Sequence, residues 1–544
     1  MSSQLVRRWL RAGAALAACA LLVTACDSGK KHGAASPASP SSEPTAAGET
    51  PTRPSGPASS GAALESPGAF ASSLNFTDIS KQVNDALNGV TDRKLSFGRA
   101  VLKVPLDWAN PDNGKTVSIT VIRIRSKSQH DRIGSLVVNP GGPGGSGTEA
   151  ALNLAVSELP DAILDRFDIV GFDPRGVGLS DPINCIPAKE KDAELNLPPD
   201  PTTEAQWQVA IDEAKKVADQ CFAIYGNDLT FFSTAETVRD MEALRARLGD
   251  DKLTYLGYSY GTLLGAEYAS AYPDRVRALV LDGAVDPTID SVQQDKTQAA
   301  GFQLAFSHFA ANCVKRAAAC GLGPDPVAFV QNLMKSADAT PIPSGDSKDK
   351  RVVKAGAVLL AVISALYDES QWDQLATALV DASKGNGSGV LELDDQYNER
   401  QPDGSYSNIQ DANAAIGCAD ETDRPSLAEA KQLAPQWRAG NPLFGGSAAS
   451  SLAFCSFWKA PPDKPIKVTA NNAPTVLVIG TTGDPATPIS GARHLAKLLG
   501  SGDLLVWEGD GHTAYPKTTC VTNDVDNYLI NLKAPAPESS CPAA

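Results

Sequence analysis

Apolar and polar residues alternate through Val117-Ser118-Ile119-Thr120-Val121-Ile122-Arg123-Ile124, the period of a half-buried antiparallel strand. Ala100 to Leu106 reads as a second strand, and Asn110-Pro111-Asp112-Asn113-Gly114 as the turn between the two. Farther along, the pattern changes to short apolar runs that predict further strands: Ser135 to Asn139, Phe167 to Asp173, Lys252 to Leu256, Val276 to Asp282, Thr475 to Gly480 and Leu504 to Trp507. Between them lie stretches with helical spacing. Thr234 to Leu248 carries an apolar stripe of Val238, Met241, Ala243 and Leu244, and Leu263 to Ala269 leads to a stop at Tyr272-Pro273. Alternation of strand and helix predicts an α/β fold with a doubly wound, mainly parallel sheet. From about Thr288 to Cys455 the rhythm is helical, as in Val358, Leu359, Val362 and Ile363, then Trp372, Leu375 and Leu379. A helical insertion between the sixth strand and the last two has the layout of a lid over the sheet's edge.

The two ends of this pattern define the organisation. Arg7, Arg8 and Arg11 precede an apolar run from Ala12 to Ala25 that is too short to span a bilayer and has the layout of a secretory signal. It closes on Val23-Thr24-Ala25-Cys26, which looks like a bacterial lipobox with Cys26 as the lipidated residue. Leu16-Ala17-Ala18-Cys19 fits more loosely inside the run, and plain secretion with a spare cysteine is the alternative. Asp27 to about Ala62 is Ser-, Pro-, Ala- and Gly-rich and reads as a flexible tether. The expected division is a signal peptide over 1–26, a linker over 27–63, a first part of the core over 64–288, a helical lid over 289–455 and a second part of the core over 456–544.

A chain of 544 residues can bury a large core. Its net charge of -15 argues against nucleic acid or an anionic membrane surface as partner, so a membrane is expected only through the lipid anchor. Setting aside Cys19 and Cys26, the cysteines are Cys185, Cys221, Cys313, Cys320, Cys418, Cys455, Cys520 and Cys541. An even set in an exported protein reads as disulfides. Eight cysteines allow about a hundred pairings, and proximity along the chain suggests 185 with 221, 313 with 320, 418 with 455 and 520 with 541. With no C-x-x-C pair and few histidines, a metal site is not expected. The sequence does not give the oligomeric state.

The chemistry centres on Gly257-Tyr258-Ser259-Tyr260-Gly261, a G-x-S-x-G pattern set between a strand and a helix. In that order it is the nucleophile elbow, a sharp turn that lifts the serine hydroxyl above the sheet, with glycines where the backbone passes close to itself. A serine hydroxyl needs a base to take its proton, and the base needs a third group to hold its tautomer. Both partners are expected downstream, in the order acid then histidine. Asp484 follows a strand in Thr481-Thr482-Gly483-Asp484-Pro485, and His512 follows the last strand in Gly509-Asp510-Gly511-His512-Thr513. The rival acids are Asp282 and Asp286, after the sixth strand. Asp510 is too near His512 in sequence to reach it easily. Of the other histidines, His494 sits in a helical pattern, His32 in the tether, His130 in a polar loop and His308 in the lid. Oxyanion donors are expected from the Tyr260 amide and from Pro140-Gly141-Gly142-Pro143-Gly144-Gly145. The prolines have no N–H, which leaves Gly142, helped by Gly141. No cofactor is called for.

Together these residues resemble the prolyl and tripeptidyl aminopeptidases, serine peptidases of the α/β-hydrolase fold, and most of all their exported actinobacterial branch. The shared motifs are Gly141-Gly142-Pro143-Gly144-Gly145, Asp173-Pro174-Arg175-Gly176-Val177-Gly178-Leu179-Ser180, Gly257-Tyr258-Ser259-Tyr260-Gly261-Thr262, Gly483-Asp484-Pro485 with Thr487-Pro488, and Gly511-His512-Thr513. Many members have histidine before Gly-Gly-Pro-Gly, where this chain has Pro140, a departure that bears on fine substrate preference. The resemblance implies release of short peptides or single residues from free N-termini, with a peptide as partner. It also implies acidic side chains from the lid that hold the substrate's α-ammonium; Asp420 and Glu421 are the candidates, and Thr487 lies near Asp484. An esterase or lipase would use the same triad, and a silent binding protein could keep the scaffold. Epoxide or haloalkane hydrolases need Asp at the elbow, against Ser259.

Overall fold

The computed structural model describes residues 73–543 except 88, 195–196 and 470–472. The expected signal segment, Cys26 and the tether lie outside these residues. Twelve strands are present among those described: β1 Thr77–Asp78, β2 Leu95–Pro105, β3 Thr116–Ser126, β4 Gly134–Asn139, β5 Phe167–Phe172, β6 Leu253–Tyr258, β7 Val276–Asp282, β8 Ile342–Pro343, β9 Val352–Val353, β10 Val476–Gly483, β11 Gly502–Asp510 and β12 Ser539–Cys541. Ten form one sheet in the order β1-β2-β3-β5-β4-β6-β7-β10-β11-β12, and β8 and β9 pair as a separate hairpin in the helical insertion.

The antiparallel end is the one the alternating pattern predicts, with β2 and β3 in register through Ala100↔Val121. From β5 onward every pairing is parallel. The apolar runs make physical sense there, because strands with helices on both faces are buried twice over. Along β6, Leu253 and Tyr255 join one hydrophobic layer and Leu256 the other; along β10, Val476 and Val478 part from Leu477 and Ile479 in the same way. This period-two sorting pins the register, and register sets which residues emerge at the carboxyl ends of β4, β6, β7, β10 and β11, where the site lies.

Two features were not legible in the pattern. A 22-residue helix, Glu204–Tyr225, intervenes between β5 and the helix Thr234–Leu248. Its Trp207 packs with Ala430, Trp437 and Leu452 of the insertion. The edge strand β12 pairs with β11 through Leu505↔Ser539 and carries too few apolar residues to be seen. Four disulfides form, 185 with 221, 313 with 320, 418 with 455 and 520 with 541, at Cα separations of 4.8, 5.3, 5.2 and 5.7 Å. They fit an exported protein. Among the described residues no helix is long and apolar enough to cross a membrane.

Candidate active site

Strand β6 ends at Tyr258 and the helix Tyr260–Ala271 begins at once, so Ser259 alone makes the turn, at φ 55° and ψ -124°. A non-glycine residue holds such a conformation only where its surroundings over-determine it. A methyl on Gly257 would lie 2.4 Å from the Gly261 carbonyl oxygen, and one on Gly261 would lie 2.9 Å from the Asn139 carbonyl oxygen. Both elbow glycines are therefore required by close backbone passage. The Ser259 amide donates to the Asp282 carbonyl at 2.9 Å, which ties the elbow to the end of β7. The next residue, Gly283, brings the base alongside: a methyl there would lie 3.2 Å from His512 Cε1 and 3.1 Å from Thr487 Oγ1.

His512 stands on the loop after β11. Its Nδ1 is 2.9 Å from Asp484 Oδ1 and 3.0 Å from Oδ2. Asp484 is fully buried and also accepts the amides of Ala486, Thr487 and Thr513 at 3.0, 2.8 and 3.3 Å. With Nδ1–H turned to a carboxylate, Nε2 presents its lone pair. Nε2 is buried and makes no hydrogen bond among the described residues. Thr487 Oγ1 sits 3.3 Å from Nδ1 on the same side.

The rival acids are occupied elsewhere. The Asp282 carboxylate accepts the amides of Ala514 at 3.0 Å and Tyr515 at 2.8 Å, bracing the chain just after the base. Burial pushes it up to about 6. Asp286 takes His494 Nδ1 at 2.6 Å, and Asp510 takes His308 Nδ1 at 2.6 Å. His494 is thus hydrogen-bonded to Asp286 near the surface, and His308 is a contact between the insertion and the core.

The glycine loop after β4 lies against the elbow. A methyl on Gly141 would fall 3.0 Å from both Ser259 Cβ and the Tyr260 amide nitrogen. The Gly141 N–H itself donates to Asn139 Oδ1 at 2.9 Å. That corrects the expectation of a helping donor at Gly141, because its amide is already committed. Gly142 and Tyr260 remain as candidate donors. The loop is held from below by Asp173, whose Oδ1 accepts Ser146 Oγ at 2.7 Å and the Thr148 amide at 3.0 Å. It is covered from above by the helix Ile409–Asp420: a methyl on Gly144 would lie 2.6 Å from the Ile409 carbonyl oxygen, and Asn413 Nδ2 donates to the Pro143 carbonyl at 3.0 Å.

The other end of that helix carries the two candidate substrate acids. Asp420 accepts the Thr234 amide at 2.8 Å and its Oγ1 at 2.6 Å, and Thr234 Oγ1 is 2.5 Å from the Tyr260 hydroxyl. Asp420 therefore links the insertion to the residue after the nucleophile. Burial pushes it up to about 7. Glu421 is also pushed up to about 7, by burial and by Asp423 and Asp295, and among the described residues its buried Oε1 has no hydrogen-bond partner. Asp295 is raised to about 7 by burial and by Asp423. Asn139, Thr234 and Asn413 were missed from sequence, since each acts through one short polar contact with no motif of its own.

An α/β-hydrolase family model matches residues 134–517. The serine protease Hip1 of Mycobacterium tuberculosis is 38% identical over 458 residues, covering 81% of this chain and 86% of that protein. A protein named carboxylesterase B, from the same organism, is 34% identical over 454 residues, covering 81% and 86%. The tripeptidyl aminopeptidase of Streptomyces lividans is 31% identical over 450 residues, covering 80% and 82%.

Proposed function

The chain belongs to the α/β-hydrolase family, as a serine hydrolase, and from that premise we propose that it is an exported peptidase cleaving near free peptide N-termini. The observation that carries the catalytic part is the seating of His512 Nδ1 on both oxygens of Asp484, with the ring beside Gly283, next to the residue that holds the elbow, and Nε2 making no hydrogen bond among the described residues. In the mechanism this supports, His512 takes the proton of Ser259 and the alkoxide attacks the scissile carbonyl. The Gly142 and Tyr260 amides bind the oxyanion. The imidazolium, paired with Asp484, gives its proton to the leaving amine. Water activated by His512 then cleaves the acyl-enzyme.

The preference for a free N-terminus rests on the acids of the insertion. Glu421, with an idle oxygen and Asp295 and Asp423 as neighbours, is the group we assign to the substrate α-ammonium. Asp420 supports it from its place on Thr234. A bound ammonium would offset the burial that raises Asp420 and Glu421, and the repulsion Glu421 feels from Asp423 and Asp295. The relatives named serine protease and tripeptidyl aminopeptidase agree with a peptide substrate.

The relative named carboxylesterase B favours a second reading, hydrolysis of acyl esters by the same residues. One long peptide with a free or acetylated N-terminus, digested and followed by mass spectrometry beside a short acyl ester, separates the two. Release of short N-terminal fragments only from the free peptide is the expected result. Ester turnover with neither peptide cleaved would overturn the peptidase assignment. We further propose that Cys26 is acylated and holds the enzyme to the outer face of the membrane. Loss of labelled fatty acid incorporation in Cys26→Ser is expected, and unchanged incorporation would remove that anchor.

A further inference from the structure

We infer that Tyr367, a residue of the helical insertion, is a positioning residue for the His512 imidazole; this rests on the reading of His512 as the base. An imidazole hung on one Cα can still tilt about its Cβ when only Nδ1 is fixed. Asp484 fixes Nδ1, and the insertion fixes the rest. The His512 amide donates to the Tyr367 carbonyl at 2.9 Å, and Asp368 forms an antiparallel bridge with Gly511. The Tyr367 ring stands at 86° to the imidazole, with centroids 5.1 Å apart. Behind it, Phe302 lies at 5.9 Å and Tyr397 at 6.2 Å, and Phe444 backs Phe302 at 5.5 Å. A ring so backed has little room to turn, and neither has the imidazole against it.

The same insertion grips the acid's loop. Gln298 Nε2 donates to the Ala486 carbonyl at 3.1 Å, and a methyl on Gly301 would lie 2.6 Å from the Pro485 carbonyl oxygen. The loops carrying base and acid emerge from β11 and β10 of the core but are finished against Tyr367 and the helix Ser291–Lys315 of the insertion. At this end the insertion is part of the catalytic frame rather than a detachable cover.

The experiment compares Tyr367→Phe, Tyr367→Leu and Phe302→Leu in the full chain. It reads kcat, KM and the low-field proton resonance of the His512 Nδ1–H bonded to Asp484. Tyr367→Phe keeps the ring and is expected within about 3-fold of the parent. Tyr367→Leu is expected to lower kcat about 10–100-fold with little change in KM, the scale of a misplaced catalytic group, and to broaden the resonance by exchange with water. Phe302→Leu loosens the backing alone and is expected to show a smaller loss of the same kind. Parental kcat and a sharp resonance in Tyr367→Leu would overturn the proposal. So would equal damage in Tyr367→Phe, or an unfolded Tyr367→Leu beside an unaffected Phe302→Leu. The His512→Gln variant assigns the resonance. If it turned over normally, the base assignment would fail, while the resonance in the Tyr367 variants would still judge the clamp.

Discussion

The side-chain oxygen of Asn139 accepts the Gly141 amide at 2.9 Å, and so takes that amide out of the candidate oxyanion donors of the glycine loop. With Gly141 turned onto Asn139, Gly142 and Tyr260 are the donors assigned to the oxyanion under the proposed mechanism. Asn139 is itself buried at the end of β4, so its side chain cannot drift. Replacing it with Ala frees the Gly141 amide and loosens the loop. Asn139→Ala is expected to lower kcat by about 10–100-fold, somewhat less than outright loss of one oxyanion donor, with KM changed much less. Asn139→Asp keeps an acceptor and is expected to retain more activity. Steady-state kinetics on both variants check this.

The elbow glycines make a prediction about folding rather than rate. A methyl on Gly257 would sit 2.4 Å from the Gly261 carbonyl oxygen and 2.6 Å from the Tyr255 ring, at a buried position. Gly257→Ala is expected to destabilise the protein by about 3 kcal/mol or more, as overpacking of a buried site does, and to cut the soluble yield. Thermal unfolding measures it.

These glycines show why part of the site could be read from letters alone. Gly257, Ser259 and Gly261 are forced by backbone sterics local to one turn, and local constraints leave a fixed spacing in the sequence. Asp484 and His512 were legible because each follows a short apolar run that could only be a buried strand, and the carboxyl ends of such strands share one rim. The commitment of the Gly141 amide was not legible, because it depends on a side chain, Asn139, whose orientation no pattern records. Thr234 and Tyr367 were invisible for a related reason. They meet Tyr260 and His512 across gaps of 26 and 145 positions, by packing of separate elements. The helix Glu204–Tyr225 escaped notice because its apolar stripe, with Trp207, Ile211, Ala218 and Cys221 buried, is sparse among polar residues.

Choosing Asp484 over Asp286 as the acid has a direct test. Asp484→Asn leaves a side chain of the same shape but sets an amide against Nδ1, which favours the wrong tautomer. A loss in kcat of about 10⁴ is expected, the scale seen when a triad acid is so changed. Asp286→Asn touches only contacts away from His512, those with His494 and Thr288, and is expected to leave kcat within about 2-fold. Equal losses in the two variants would contradict the assignment.

Stability should fall with rising pH on account of Asp420. Burial raises its carboxyl to about 7 in the folded protein, against roughly 3.9 for an unfolded chain. Between these values the folded state binds the proton and the unfolded state does not. The group's contribution to stability is therefore complete below about pH 4 and is lost as pH rises through about 7. Asp420→Asn keeps an acceptor for Thr234 and cannot ionise. It is expected to reduce the loss of stability between pH 5 and pH 8 by on the order of 1–2 kcal/mol. Denaturant melts of parent and variant at the two pH values measure the difference.

The most direct test of the account is the site of covalent labelling by a fluorophosphonate, read by mass spectrometry of the intact protein and its digest. One adduct on Ser259, absent in Ser259→Ala and slowed at least 100-fold in His512→Gln, is the predicted result. A protein that takes no label, or takes it at the same rate without His512, would contradict the claim that Ser259, His512 and Asp484 form one catalytic unit.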